Sequence, residues 1–112
     1  MFNLVTFLEN TSDYRRTARE PEYGYLATER EMLFNVSPAA KVDDMETPII
    51  IAHGANDPRV PVTEAEQAVA KLKDMGVEVE YLRYEDEGHG VVKMHNKLDC
   101  YKKIVAFIKK HI

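Results

Sequence analysis

The sequence has little cysteine, no long apolar run, no excess of basic residues and no recognisable secretion signal. Its single cysteine, Cys100, cannot form an intramolecular disulfide, so we expect a cytoplasmic protein. No apolar run approaches the roughly 20 residues that a membrane helix needs, so we expect no membrane span. Fifteen basic and nineteen acidic residues give a net charge of −4, which argues against nucleic-acid binding. The first residues lack the basic and apolar segments of a signal peptide.

The composition is nevertheless that of a folded domain. Hydrophobic residues make up 45% and charged residues 30% of the 112 positions, as in globular proteins. This length allows one domain with one modest core. No internal repeat or low-complexity segment divides it. We therefore expect one unit, with a helical lead-in over residues 1–41 and a more regular region over residues 42–112.

The lead-in predicts short, irregular helices. Polar residues at 11–13 offer an N-cap before a helix over 14–20, which Pro21 is expected to end. A second helical stretch covers residues 26–34, and Ser37-Pro38 ends it. Its expected buried side chains are Leu26, Met32 and Leu33.

Residues 42–112 predict a strand, a helix, a second strand and a second helix. The β-branched run 48–52 favours a strand buried on both faces. Thr63 and Glu66 predict a capping box for a helix over 63–75, and alternation predicts a strand over 77–84. The last helix begins near Asn96, and its apolar stripe consists of Leu98, Tyr101, Val105, Ile108 and Ile112. This order is a βαβα unit with parallel strands, an α/β fold.

Two loops of this unit carry an acid and a histidine. Asp57 follows the first strand and His89 the second, and neighbouring strands lie about 5 Å apart, so the two side chains can form a hydrogen bond. Such a bond fixes the tautomer of an imidazole and stabilises its protonated form. Alone, each would be read as an ordinary loop residue, but their joint placement favours catalysis. Gly88 and Gly90 are expected to leave room for the ring and to allow unusual backbone angles.

The loop sequences resemble those of a known family. His-Gly-Ala-Asn-Asp-Pro-Arg-Val-Pro at 53–61 and Asp-Glu-Gly-His-Gly at 86–90 resemble the acid and histidine loops of the prolyl oligopeptidase family of serine peptidases, which includes acylaminoacyl and dipeptidyl peptidases. Residues 7–11, 14–16 and 37–40 extend the resemblance to nearly the whole chain. It implies part of an α/β-hydrolase fold, whose triad runs Ser, Asp, His. By resemblance, Asp57 is the triad acid and His89 the general base.

The nucleophile of that family has no counterpart here. The sequence has no Gly-x-Ser-x-Gly elbow, and its only serines are Ser12 and Ser37. Ser37 precedes Asp57 and His89 in the chain, but it lacks the small neighbours of an elbow and is followed by a proline, which has no N–H for an oxyanion hole. Cys100 is interpreted as a packing residue. We therefore expect that the nucleophile-elbow half is missing and that the chain alone is inactive.

Other polar residues predict no cofactor and no metal site. The spacing of His89, His95 and Cys100 matches no zinc pattern. We interpret His53 as a packed or hydrogen-bonded residue, and residues 85–87 as a solvated acidic turn.

The open sheet predicts a partner. A two-stranded parallel sheet keeps an apolar edge, and such edges pair or aggregate. We expect either a homodimer, formed through first-strand edges or exposed helix faces, or association with a missing N-terminal half. A peptide substrate is expected only for the completed domain. The alternative function is a non-catalytic, self-associating remnant module.

Overall fold

The computed structural model describes residues 1–112 and places four short helices before the sheet. The first part consists of α1 (Leu4–Glu9), α2 (Asp13–Tyr23), α3 (Leu26–Asn35) and a 3₁₀ helix (Pro38–Asp44). The second part consists of β1 (Ile49–Gly54), α4 (Val62–Asp74), β2 (Val79–Tyr84) and α5 (Met94–His111). None of these helices combines the length and the apolarity that crossing a bilayer would require.

The sheet has two parallel strands, joined through α4. Ile49 of β1 stands opposite Val79 of β2, and Gly54 stands opposite Tyr84, so both strands end at the same edge. Parallel neighbours need such a crossover connection, because a tight hairpin can join only antiparallel strands. The predicted α/β class and the βαβα order with parallel strands are confirmed.

Helices α4 and α5 cover opposite faces of the sheet. Arg83 of β2 bonds to Glu66 of α4, with 3.0 Å between its Nε and the carboxylate Oε1. The preceding residue, Leu82, packs with Cys100 of α5. Because successive side chains of a strand point to opposite faces, these contacts place the two helices on the two sides. The order of layers is helix, sheet, helix.

Apart from Val42 and the α4 residues Ala65, Ala68, Val69 and Leu72, the buried apolar residues form two clusters. One lies among the lead-in helices and contains Leu4, Phe7, Leu8, Leu26 and Leu33. The other lies between the sheet and α5 and contains Leu82, Tyr84 and Cys100. The radius of gyration is 15.5 Å, whereas a compact chain of this length would have about 13 Å. The molecule is therefore a slab, 19 Å across its thinnest dimension, in which much apolar surface stays open.

The predicted burial of the first strand on both faces is wrong. Ile49, Ile50 and Ile51 are only partly buried and Ala52 is exposed, because the sheet has two strands and the helices cover it incompletely. The stripe of α5 has the predicted spacing, and it faces away from the sheet. Leu98 and Tyr101 are 63% and 62% exposed, and Val105 and Ile108 are each 50% exposed. The residues of α5 that are buried are Asn96 and Cys100.

Two predictions about the lead-in are also wrong. Helix α2 continues through Pro21 to Tyr23. A proline this close to the end of a helix removes one backbone hydrogen bond while the rest of the helix stays intact. Met32 is 38% exposed, because Leu26 and Leu33 occupy the buried side of α3 and the residue next to Leu33 points to a different side of the helix.

The predicted capping box of α4 does not form. The helix begins at Val62, one residue before Thr63, and Pro61 occupies the N-cap position without a side-chain hydrogen bond. Glu66 instead reaches across to Arg83 of β2. The side chain of Glu66 therefore contacts the sheet and does not form the predicted capping-box contact with Thr63.

Candidate active site

The acid loop, residues 53–61, holds the carboxylate of Asp57 in one orientation. Its Oδ1 accepts hydrogen bonds from the backbone N–H groups of Arg59 and Val60, at 2.8 and 2.9 Å. The side chain is only 5% exposed. Burial raises the pKa of Asp57, but the hydrogen bonds from Val60, Arg59 and His89 outweigh it and hold the pKa below the ordinary value of 3.8. Asp57 is therefore an ionised acceptor at neutral pH.

The histidine loop, residues 85–93, brings His89 onto the free oxygen of that carboxylate. His89 Nδ1 lies 2.9 Å from Asp57 Oδ2. With the proton on Nδ1, the other ring nitrogen, Nε2, has a free lone pair. The His89 side chain is 51% exposed, so this nitrogen belongs to an accessible ring. The structure thus brings together the two residues that the sequence singles out, at the carboxyl ends of neighbouring parallel strands.

Gly54, the last residue of β1, marks the point where the two loops touch. A Cβ atom there would lie 2.1 Å from the carbonyl oxygen of Gly88 and 2.5 Å from that of Glu87. The sequence instead predicts that Gly88 and Gly90 leave room for the ring of His89 and adopt unusual backbone angles, and this prediction is wrong. Neither has a positive φ, and a Cβ on Gly90 would meet nothing within 4 Å. The glycine that the site requires is therefore Gly54.

His53 supports the acid loop from within. Its Nε2 lies 3.0 Å from the carbonyl oxygen of Val60 and 3.6 Å from Asp57 Oδ2. The ring is mostly buried, with 14% of its side chain exposed. The interpretation of His53 as a packed or hydrogen-bonded residue is confirmed. Its contact with Val60 ties the start of the loop to its far end.

Glu87 is a second residue of this region that the sequence reasoning missed. It was grouped with an acidic solvated turn, but it is only 1% exposed. Its Oε2 accepts hydrogen bonds from the backbone N–H groups of Val92 and Lys93, at 3.1 and 3.0 Å, and from the side-chain amide of Asn96, at 3.0 Å. Burial raises the pKa of Glu87, but these donors outweigh it and place the pKa below the ordinary 4.5. The signal available in the sequence was its position directly before Gly-His-Gly.

The remaining candidates lie apart from His89. Ser37 is 2% exposed, and its hydroxyl donates to the carbonyl oxygen of Leu33 at 2.6 Å and accepts from the N–H of Leu4 at 2.8 Å. Ser12 is exposed at the start of α2. Cys100 is buried in the second core cluster, as its interpretation as a packing residue predicts. No group of three or more His, Cys, Asp or Glu side chains is placed to hold a metal ion.

A small open cavity lies beside the acid–histidine pair. Its volume is about 250 Å³, and its lining includes His53, Gly54, Asp57, His89 and Gly90. Ligand-binding clefts commonly measure about 300–1,000 Å³. The cavity beside the pair is therefore somewhat smaller than a typical binding cleft.

Comparison with known proteins relates this chain to peptidases. Residues 1–112 match the prolyl oligopeptidase family. Dipeptidyl peptidase family member 6 of Caenorhabditis elegans is 42% identical over 81 residues, which are 72% of this chain and 11% of that protein. Dipeptidyl aminopeptidase BIII of Pseudoxanthomonas mexicana is 36% identical over 67 residues, 60% of this chain and 10% of that protein. The chain thus spans about a tenth of the length of these curated relatives.

Solved structures give the same result. A puromycin-hydrolyzing peptidase of Mycobacterium tuberculosis superposes with a TM-score of 0.77 at 28% identity, over 94% of this chain and 16% of that one. The acylaminoacyl peptidase of Pyrococcus horikoshii superposes with a TM-score of 0.83 at 21% identity, over 96% of this chain and 18% of that one. At that identity the second similarity is one of fold.

Proposed function

Because the chain belongs to the prolyl oligopeptidase family and has a partial α/β-hydrolase fold, we propose that it carries the acid and the general base of a serine-peptidase triad. Asp57 is the acid and His89 is the base. The observation that carries this proposal is the 2.9 Å contact between His89 Nδ1 and Asp57 Oδ2. It lies where functional loops of open α/β sheets occur, at the carboxyl ends of the strands.

The pair would act by moving one proton in two steps. His89 Nε2 takes the proton of a serine hydroxyl as that oxygen attacks the peptide carbonyl, and later gives it to the leaving amine. Asp57 keeps the ring in the productive tautomer and stabilises the imidazolium that forms. Its pKa, held below the ordinary 3.8, suits a group that must stay ionised throughout.

The serine itself must come from outside these residues. The Ser37 hydroxyl is buried and already makes two hydrogen bonds within the lead-in. Ser12 lies at the start of α2, and neither serine bonds to His89. A nucleophile must lie within hydrogen-bond reach of its base. These observations support a chain that is inactive in serine-type hydrolysis until the elbow half completes it.

A peptide is the substrate class that we propose for the completed domain. Relatives are called dipeptidyl peptidases and acylamino-acid-releasing enzymes. The open cavity beside His89 supports a cleft whose other wall is supplied elsewhere.

A chimera tests these roles. All 112 residues of this chain would replace the corresponding segment of the relative that is 42% identical over 81 residues. Hydrolysis of a dipeptide p-nitroanilide would then be measured. We expect turnover that falls by roughly 10⁴-fold or more in His89→Ala and in Asp57→Asn. His95→Ala is the matched control, because this exposed histidine lies on the neighbouring helix and binds Asp86 instead.

Two results would contradict the proposal. Turnover of the chimera that survives His89→Ala would remove His89 as the base. Turnover by the isolated chain that disappears in His89→Ala would show that the chain supplies its own nucleophile.

Self-association is a second candidate function, favoured by the exposed apolar face of α5. Leu98, Tyr101, Val105 and Ile108 recur every three or four residues, so they share one side of the helix. The free edge of β1 offers a second apolar surface. A module of this kind would keep the acid and histidine loops without using them in catalysis.

A further inference from the structure

We propose that Glu87 is a positioning residue for His89: its buried carboxylate closes the histidine loop and so holds the imidazole against Asp57. This inference rests on the proposed function, in which His89 is the general base. Glu87 touches no reacting atom, and its effect on the site is exerted through the backbone of the loop.

The hydrogen bonds of the Glu87 side chain connect the two ends of the loop segment that contains His89. The chain leaves Glu87, passes through residues 88–91, and returns at Val92 and Lys93 to the same carboxylate oxygen, at 3.1 and 3.0 Å. Two of the four residues in between are glycines, which lose the most backbone freedom when ordered. A loop of this composition needs a closing contact to keep one shape, and the Glu87 side chain supplies it.

The backbone of Glu87 ties this closed loop to the acid loop. Its carbonyl oxygen accepts from the N–H of Asn56 at 3.0 Å, and its own N–H donates to the carbonyl oxygen of Tyr84 at 3.3 Å. Asn56 is the residue directly before Asp57. One residue therefore connects the end of β2, the acid loop and the far end of the histidine loop.

The charge of Glu87 is balanced by dipoles, because no lysine or arginine forms an ion pair with it. The side-chain amide of Asn96 donates at 3.0 Å, alongside the two backbone N–H groups. Those N–H groups directly precede α5 (Met94–His111), whose N-terminus carries partial positive charge. Hydrogen bonds to an ionised acceptor are about twice as strong as neutral ones. An amide of the same size would therefore keep the shape of the residue but close the loop less firmly.

The chain contains a matched control in Glu64, its other fully buried carboxylate. Glu64 is also 1% exposed. It accepts from the backbone N–H groups of Phe2 and Asn3, at 3.1 and 2.9 Å, next to α1. It bonds to neither the acid loop nor the histidine loop. Glu64→Gln thus removes a buried carboxylate of the same kind without breaking a hydrogen bond to either loop.

The experiment records the ring ¹⁵N resonances of His89 in the isolated chain at neutral pH, for the wild type, Glu87→Gln and Glu64→Gln. These resonances report which ring nitrogen carries the proton. We expect a single Nδ1–H form in the wild type and in Glu64→Gln. In Glu87→Gln we expect loss of that single form and appearance of the Nε2–H form of an unpaired imidazole. Circular dichroism verifies that each variant is folded.

The outcomes separate this inference from the function on which it rests. A wild type without the Nδ1–H form would contradict the Asp57–His89 pair, and with it both proposals. A wild-type spectrum in Glu87→Gln, or the same loss in Glu64→Gln, would overturn the role of Glu87 alone. If Glu87→Gln does not fold, Asn96→Ala decides in the same spectrum. It removes the amide donor of both Glu87 and Asp86, so Asp86→Ala is recorded beside it. Loss of the Nδ1–H form in Asn96→Ala but not in Asp86→Ala supports the role, and any other result overturns it.

Discussion

Replacing Gly54 with alanine should separate the two loops of the site. The added Cβ would lie 2.1 Å from the carbonyl oxygen of Gly88 and 2.5 Å from that of Glu87. Both oxygens belong to the backbone of the histidine loop, so no side-chain rotation can relieve the contact. The loop must move, and with it His89.

The size of the movement follows from the distances. Carbon and oxygen atoms in contact stay at least 3.0 Å apart, so the loop must retreat by about 1 Å. The same movement would lengthen the 2.9 Å bond between His89 and Asp57 beyond the roughly 3.2 Å limit of a good hydrogen bond. It would also strain the bond from the Asn56 N–H to the Glu87 carbonyl, now 3.0 Å long. Overpacking of this kind costs about 1–3 kcal/mol of stability.

Urea unfolding and the His89 ring resonances together measure both effects. Gly54→Ala should lower the free energy of unfolding by about 1–3 kcal/mol and abolish the single Nδ1–H form of His89. Gly88→Ala and Gly90→Ala are matched controls in the histidine loop. A Cβ at Gly88 would come no closer than 3.9 Å to another atom, and one at Gly90 would meet nothing within 4 Å. A Gly54→Ala protein that is as stable as Gly90→Ala and keeps the wild-type tautomer would contradict a forced movement of the histidine loop.

Three further predictions concern the acid, the lead-in serine and the exposed helix. Because the pKa of Asp57 is lowered in the folded chain, its ionised form stabilises the fold at pH values above the ordinary pKa of 3.8, and this stabilisation is lost as the pH falls through the pKa of the folded state. The difference in unfolding free energy between wild type and Asp57→Asn should therefore shrink below about pH 4. A constant difference from pH 7 to pH 2 would contradict this prediction. Ser37→Ala leaves the buried N–H of Leu4 without its acceptor, so urea unfolding should show a loss of about 1–3 kcal/mol while turnover of the chimera is unchanged. Leu98→Glu should weaken self-association at least 10-fold in sedimentation equilibrium. Lys103→Glu, on the opposite side of α5, should leave it unchanged. A wild type that stays a monomer at high concentration would contradict an interface formed by the apolar face of α5.

The acid–histidine pair is predictable from the sequence because its geometry follows from topology. The strand 48–52 and the strand 77–84 are recognisable by local pattern, and the helix between them supplies the crossover that a parallel pair needs. The residues after parallel strands then meet at one edge, whatever the details of packing. This is why Asp57 and His89 could be placed together without knowing what surrounds them.

The supports of the site are not predictable in the same way, because they depend on contacts between distant segments. Nothing in the residues around Gly54 indicates that Gly88 passes 2.1 Å from where its Cβ would be. Glu87 has two acidic neighbours, Glu85 and Asp86, and composition alone assigns all three to solvent. Its burial becomes evident only when the start of α5 is placed beside it.

Periodicity likewise identified the apolar face of α5 but not what lies against it. Spacing determines which residues share a side of a helix. It cannot tell whether that side meets the sheet or is left open. Helix α5 has apolar residues on more than one side, and the sheet covers the side of Cys100 and leaves that of Leu98 exposed.

The two core clusters explain how a thin molecule holds one precise contact. The acid loop is anchored to the lead-in helices, because Val60 packs against the first cluster and Arg19 of α2 donates to the carbonyl oxygen of Arg59 at 3.1 Å. The histidine loop is anchored to α5 through Glu87 and the second cluster, against which Val91 packs. Each loop is therefore anchored to a different cluster. The lead-in supplies no group to the proposed proton transfer, yet the position of Asp57 depends on it.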